Sequence, residues 1–162
     1  MSYRANVEDL LRQYADTVYR IARVQMKNNA DADDVFQEVF LRLVRYSDRI
    51  KSPEHAKFWL IRVTLNCCKN QFSSLANNGG KNCELLEETA TAPQEDDERS
   101  DLLNAIGELS CDQKSAVYLH YFEGYSVEEI ARITKQNANT VKSHLFRARQ
   151  ALKNKLGAEI YE

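Results

Sequence analysis

Glycine and proline are scarce in this chain, five and two among 162 residues. Glycine is costly to order and proline breaks helices, so their scarcity leaves long helical stretches open. No run approaches the ~20 apolar residues that span a bilayer, and no membrane insertion is expected. The first residues, MSYRANVEDLL, lack the basic-then-apolar order of a secretory leader. A cytoplasmic location is expected. Metal-ligand spacing is also missing. Cys67 and Cys68 are adjacent, and Cys83 and Cys111 follow no zinc pattern. Neighbouring residues of a helix point about 100° apart, so those two thiols can hardly serve one tetrahedral zinc. All four cysteines are read as reduced, mostly packing groups. His55, His120 and His144 are scattered. There is no Gly-rich phosphate loop, no nucleophile elbow and no placeable pair of carboxylates. No cofactor, no metal and no enzymatic role are expected.

What the chain does have is helical periodicity and segregated charge. Apolar residues recur mostly at three- and four-residue spacing, which indicates an all-α protein. Residues 1–76 carry 12 Lys/Arg and 9 Asp/Glu, for +3; residues 77–101 carry 2 and 8, for −6; residues 102–162 carry 8 and 7, for +1. The middle segment holds Asn-Asn-Gly-Gly, a proline and few large apolar groups. Two small helical domains, 1–76 and 102–162, joined by a flexible acidic linker over 77–101, are therefore expected.

Three helices are expected in the first domain. Val7, Leu10, Leu11, Tyr14, Val18, Ile21 and Ala22 form an apolar stripe on the first, which fades at Lys27-Asn28-Asn29. The second has Asp31 or a neighbour as N-cap and acids in its first turn. It carries too many apolar residues for one core stripe, which assigns some of Phe36, Phe40 and Leu41 to the core margin or to a partner surface. The third runs from about Ala56 to Phe72, with Trp59 expected in the core. From His55 to Cys83 the chain has four Lys/Arg and no acid.

The second domain ends in a helix-turn-helix. Two short helices over 102–122 break around Ser110-Cys111-Asp112, with Ser110 or Asp112 as cap, and Glu123-Gly124-Tyr125 forms the stop. Ser126 caps the next helix and Glu129 completes a capping box; Val127, Ile130, Ala131 and Ile133 pack it. A turn over Lys135–Ala138 follows, and Asn139 or Thr140 starts the last helix. Its inward stripe is Val141, Leu145, Ala148 and Leu152. Thr140, Lys142, Ser143, His144, Phe146, Arg147 and Arg149 remain for outward or flanking positions. From Ile130 to Ala158 there are seven Lys/Arg and no acid. Such a face suits a polyanion, because neutralised phosphates release condensed counterions. Lys and Arg reach guanine edges or phosphates, and Ser bonds to either. Phe146 has two readings, contact with DNA or core at a helix junction.

Taken together, these residues resemble the extracytoplasmic-function (ECF, group 4) sigma factors of bacterial RNA polymerase, within the sigma-70 family. The resemblance covers nearly all of the chain except the linker. DDVFQEVFLRLVRY at 33–46 is similar to region 2.2, whose helix docks on the clamp helices of the polymerase β′ subunit. It implies core-polymerase contacts at Asp34, Gln37, Glu38 and Leu41. AKFWLIRVTLNCCKNQF is similar to regions 2.3–2.4, where Trp-Leu-x-Arg-(Ile/Val)-x-x-Asn is characteristic. That implies −10 contacts at Arg62, Asn66, Lys69 and Asn70, and a loop at about Ser47–His55 that receives a flipped base. Thr-Val-Lys-Ser-x-Leu-x-Arg-Ala-Arg at 140–149 is similar to region 4.2. It implies −35 contacts at Thr140, Lys142, Ser143, His144, Phe146, Arg147 and Arg149. Where the family often has Pro and Gly before Thr140, this chain has Asn137 and Asn139.

The resemblance implies core RNA polymerase (β′ clamp helices and β flap), promoter DNA and a cognate anti-sigma factor as partners. The implied function is promoter-specific transcription initiation with help in melting the −10 region. The alternative is a LuxR-like helix-turn-helix regulator, which shares the last module but needs a ligand pocket, a phosphoacceptor or a dimer seam in its first domain.

Overall fold

A computed structural model describes residues 3–77, 102 and 104–156. The expected acidic linker and Cys83 lie outside the described residues, apart from Asn77. The chain divides into two compact units, Met1–Ala90 and Thr91–Glu162, and the division falls inside the acidic stretch. All regular structure among the described residues is helical.

The first unit is three mutually packed helices, α1 (Val7–Gln25), α2 (Asn29–Tyr46) and α3 (Pro53–Asn77). Asn6 caps α1, its side chain accepting the Asp9 N–H at 3.0 Å. Asn28, rather than Asp31, caps α2: its Oδ1 accepts the Asp31 N–H at 2.8 Å. Asp31 instead lies buried in the first turn, where its carboxylate accepts from Asn28 Nδ2 at 3.0 Å and from Gln71 Nε2 at 3.2 Å. A capping network thus also ties α2 to the far end of α3. Helix α3 starts three residues earlier than its apolar pattern indicates. Pro53 occupies the first helical position, where its missing N–H costs nothing, and the Ser52 hydroxyl accepts the His55 N–H at 3.0 Å. The helix also continues past Phe72 to Asn77.

The core of this unit joins Leu10, Val18 and Ala22 of α1 to Val35, Val39 and Leu43 of α2 and to Ala56, Trp59, Leu60, Cys67 and Cys68 of α3. Trp59 is 6 % exposed and stacks on Tyr46, ring centroids 4.8 Å apart and planes 9° apart. Phe36 and Phe40 pack half-buried at the margin, whereas Leu41 stands 53 % exposed.

In the second unit a short helical turn at 104–107 precedes α4 (Cys111–Val117), α5 (Val127–Thr134) and α6 (Ala138–Leu156). Ser110 and Ser126 each head a reciprocal capping box, with Gln113 and Glu129 respectively. Beyond α4 the chain widens into a looser turn over Tyr118–Phe122, where the Glu123 N–H reaches five residues back to the Tyr118 carbonyl at 3.1 Å. Gly124 then adopts φ 79°, and the Tyr125 N–H returns to the Leu119 carbonyl at 2.9 Å. Only glycine takes that conformation without a steric cost. Lys135 ends α5 in the left-handed region at φ 57°. Helix α6 begins at Ala138, ahead of the expected start, because the Asn137 side chain accepts the Asn139 N–H at 2.8 Å. Val141, Leu145, Ala148 and Leu152 are all buried, as their spacing indicates.

Candidate functional site

Three helix faces remain on the outside of these two cores. On α2, Asp34, Gln37, Glu38 and Leu41 follow the spacing i, i+3, i+4, i+7 and so share one face. Asp34, Gln37 and Leu41 are exposed and Glu38 is half-buried. Glu38 Oε2 accepts from Arg42 Nε at 2.8 Å. That bond holds the guanidinium pKa above its ordinary value and fixes the carboxylate in place. Val44, 60 % exposed and three residues after Leu41, extends the face with a second aliphatic group. Val44 is one of the apolar residues in excess of a single core stripe, and its outward place, like that of Leu41, follows from the spacing. The face therefore combines acid, amide and bare aliphatic surface.

On α3, Arg62, Asn66, Lys69 and Asn70 occupy the arc opposite the core stripe. Asn66, Lys69 and Asn70 are exposed and Arg62 is half-buried. Two residues of the inner arc, Cys67 and Cys68, are buried. Burial pushes the Cys67 thiol up from its ordinary pKa, against a smaller lowering by Arg42, so it remains a neutral packing group. Ahead of α3, the one-turn helix Ser47–Arg49 and the connection to Pro53 border an open hollow of about 690 Å³, lined by Tyr46, Asp48, Arg49, Lys51 and His55. The Arg49 guanidinium lies 5.8 Å from the Tyr46 ring centre. His55 Nδ1 accepts the Lys51 N–H at 3.0 Å and shapes the connection. Trp59, behind Tyr46, is core and does not enter the hollow's lining.

On α6, Thr140, Lys142, Ser143, Phe146, Arg147 and Arg149 are exposed. Phe146 is 60 % exposed, which settles its two readings against the core. His144 stands apart from this set. Its ring is half-buried and turned to Asp112 of α4, with Nε2 4.0 Å from the carboxylate. Arg149 is held from outside the helix-turn-helix, its Nε donating to the Tyr121 hydroxyl at 2.6 Å. Neither Asp112 nor Tyr121 had a signal in the sequence, because both meet α6 only through tertiary packing. No group of three or more His, Cys, Asp or Glu side chains able to hold a metal occurs among the described residues. No helix among them is long and apolar enough to cross a membrane.

A three-helix unit with an acid-aliphatic face and a basic-amide face, followed by a helix-turn-helix with an acid-free reading helix, defines a bipartite DNA-binding transcription factor. The family model for Sigma-70 region 2 matches residues 10–77, and that for Sigma-70, region 4 matches residues 99–152. The RNA polymerase sigma factor SigV of Bacillus subtilis is 29% identical over 141 residues, which cover 87% of this chain and 85% of that protein. The ECF RNA polymerase sigma factor SigE of Mycolicibacterium smegmatis is 35% identical over 161 residues, covering 92% of this chain and 61% of that protein. Among solved structures, the sigma factor RpoE in complex with the anti-sigma factor NepR from Bartonella quintana shares the fold. Its TM-score is 0.70 at 22% identity, covering 92% of this chain and 95% of that one. The chain belongs to the sigma-70 family of RNA polymerase sigma factors, in its extracytoplasmic-function group. The region 2 match over residues 10–77 favours a sigma factor over a LuxR-like regulator.

Proposed function

We propose that the three faces divide the work of promoter-specific initiation. Segment 1–76 binds core polymerase and the −10 element, 77–101 connects, and 102–162 binds the −35 element. The α2 face of Asp34, Gln37, Glu38 and Leu41 docks on the β′ clamp helices through charge-assisted bonds and aliphatic contact. Helix α6 enters the −35 major groove, with Thr140, Lys142, Ser143, Phe146 and Arg147 toward base edges and phosphates, and Arg149 at the rim. His144, turned toward Asp112, acts in that scheme as a brace for the helix. Arg62, Asn66, Lys69 and Asn70 of α3 meet the melted −10 strand. A base flipped from that strand must recover its unstacking energy in a pocket, and the Tyr46-floored hollow beside Asp48 and Arg49 supports that role for the Ser47–His55 loop.

The single observation that carries this reading is the two-sidedness of α6: a fully buried apolar stripe beneath an exposed, acid-free cationic face. The protein's part is recognition and strand capture in the cytoplasm, with the chemistry left to the polymerase. In solved structures of the same fold, RpoE is in complex with the anti-sigma factor NepR, and CnrH with the cytosolic domain of CnrY. A comparable anti-sigma factor is proposed here.

Run-off transcription with purified bacterial core polymerase on fragmented genomic DNA, with and without this chain, tests the reading. New discrete transcripts that share an upstream motif are expected. Footprints by the chain alone, without new transcripts, would refute it.

A further inference from the structure

The bond between Tyr121 and Arg149 joins residues 28 apart in sequence, and the scheme above gives Tyr121 no task. Tyr121 belongs to the loose turn after α4 and is 55 % exposed. Its hydroxyl oxygen accepts from Arg149 Nε at 2.6 Å, and the guanidinium carbon lies 5.6 Å from its ring centre. The ring is itself braced. The His120 ring meets it edge-on, centroids 4.8 Å apart, and His120 Nδ1 lies 2.9 Å from the Tyr125 carbonyl oxygen. An exposed arginine normally samples many rotamers, and ordering one costs entropy at the moment of binding. Here that ordering is done in advance by a ring and a hydroxyl.

The donors that remain define what the pair takes. With Nε engaged, Arg149 keeps both Nη groups. The Tyr121 hydroxyl hydrogen is also unused in this bond, because arginine has no acceptor to offer it. No carboxylate among the described residues forms an ion pair with Arg149. Arg149 follows Lys142 by seven residues on α6, a rise of about 10 Å along the axis, while the major groove is about 12 Å wide. With Lys142 in the groove, Arg149 reaches its rim. We propose that Tyr121 and Arg149 together form a preset clamp for one phosphate of the DNA backbone flanking the −35 groove, with Tyr121 as the positioning residue. This rests on α6 being the DNA-facing helix, and it adds to the helix-turn-helix a contact from the preceding turn.

The test measures affinity of the full chain, bound to core polymerase, for a promoter fragment recovered by run-off transcription, between 50 and 200 mM salt. Each phosphate neutralised adds about 0.9 to the slope of log K against log salt. Arg149→Ala should lower the slope by about that amount, Tyr121→Ala by the same, and the double variant by no more than either. Tyr121→Phe, which keeps the ring and its packing, should fall between wild type and Tyr121→Ala. A wild-type slope for Tyr121→Phe, or losses that add in the double variant, overturns the clamp. Lys142→Ala with Arg147→Ala serves as the control and should lose promoter binding. If binding persists in the control, the reading of α6 fails and the clamp with it. If the control loses binding while the Tyr121 variants keep the wild-type slope, only the clamp fails.

Discussion

Replacing Gln37 and Glu38 together by Lys should separate the proposed docking role of α2 from its folding. Glu38 is tied to Arg42 at 2.8 Å, but both side chains keep over a third of their surface in solvent, 41% and 37%. An i,i+4 pair in that setting contributes ~0.3–0.5 kcal/mol. Placing a like charge opposite Arg42 costs a similar amount. Both positions lie mid-helix, beyond the reach of the terminal dipole charges. The folding cost therefore stays near ~1 kcal/mol, against ~5–15 kcal/mol for a typical domain, and the melting midpoint should fall by roughly 4–8 °C. Docking is affected much more. Close charge pairs across an interface couple by ~1.5–7 kcal/mol, and even the low end is about tenfold in Kd. Fluorescence titration of labelled chain with core polymerase should show at least that loss, with helical circular dichroism unchanged. Wild-type affinity in the double variant would refute the docking face, and a collapse of the helical signal would refute the small folding cost.

Three further outcomes follow from burial and backbone geometry. Trp59→Ala should cost ~3–5 kcal/mol through an uncollapsed cavity beside Tyr46, whereas Phe146→Ala should leave stability within about 0.5 kcal/mol and weaken only DNA binding; urea melts and promoter titrations read the two. The stability of the first unit should decline as pH rises above about 8.5, the ordinary thiol value. Burial raises the Cys67 pKa, so the unfolded chain gives up that proton first, and stability present below the unfolded value is lost as pH climbs toward the folded one. Urea melts followed by the fluorescence of the sole tryptophan should show a flatter pH profile in Cys67→Ala. Gly124→Ala should cost about 1–2 kcal/mol from its positive φ alone, since a Cβ there meets nothing within 4 Å; Gly124→Asn should cost less, and equal melting of both variants with wild type would contradict the strain.

Much of this architecture was legible because it is local. The Ser126–Glu129 capping box spans three residues and needs no tertiary information, and the Val141, Leu145, Ala148, Leu152 stripe is a matter of period. Helix starts were less legible where two signals compete. Ser52-Pro53 reads as a turn, yet proline also fits a first helical position, and the structure uses it so. Asp31 reads as a cap because it precedes an apolar run. Asn28 takes that place, and Asp31 goes instead to Gln71, 40 residues away. The exposed arcs of α3 and α6 could be read from periodicity. What holds particular side chains of α6 could not, because His144–Asp112 and Arg149–Tyr121 depend on how α4 and its loose final turn pack against α6.

That division has a physical consequence for how substitutions act. Helices α2, α3 and α6 each keep one arc in the core and an opposite arc outside it, which the proposed scheme assigns to a partner. Stability and recognition are therefore separable position by position along the same helix: Leu145 against Phe146, Cys67 against Asn66, Leu43 against Leu41. The separation fails only where an outward group is bonded to something else. Glu38 with Arg42, His144 with Asp112 and Arg149 with Tyr121 are such places. There a substitution changes both the binding group and the support that orders it, so single-variant losses overstate the contact itself. Double-variant cycles are needed at those three pairs, and single variants suffice at outward apolar positions such as Leu41 and Phe146.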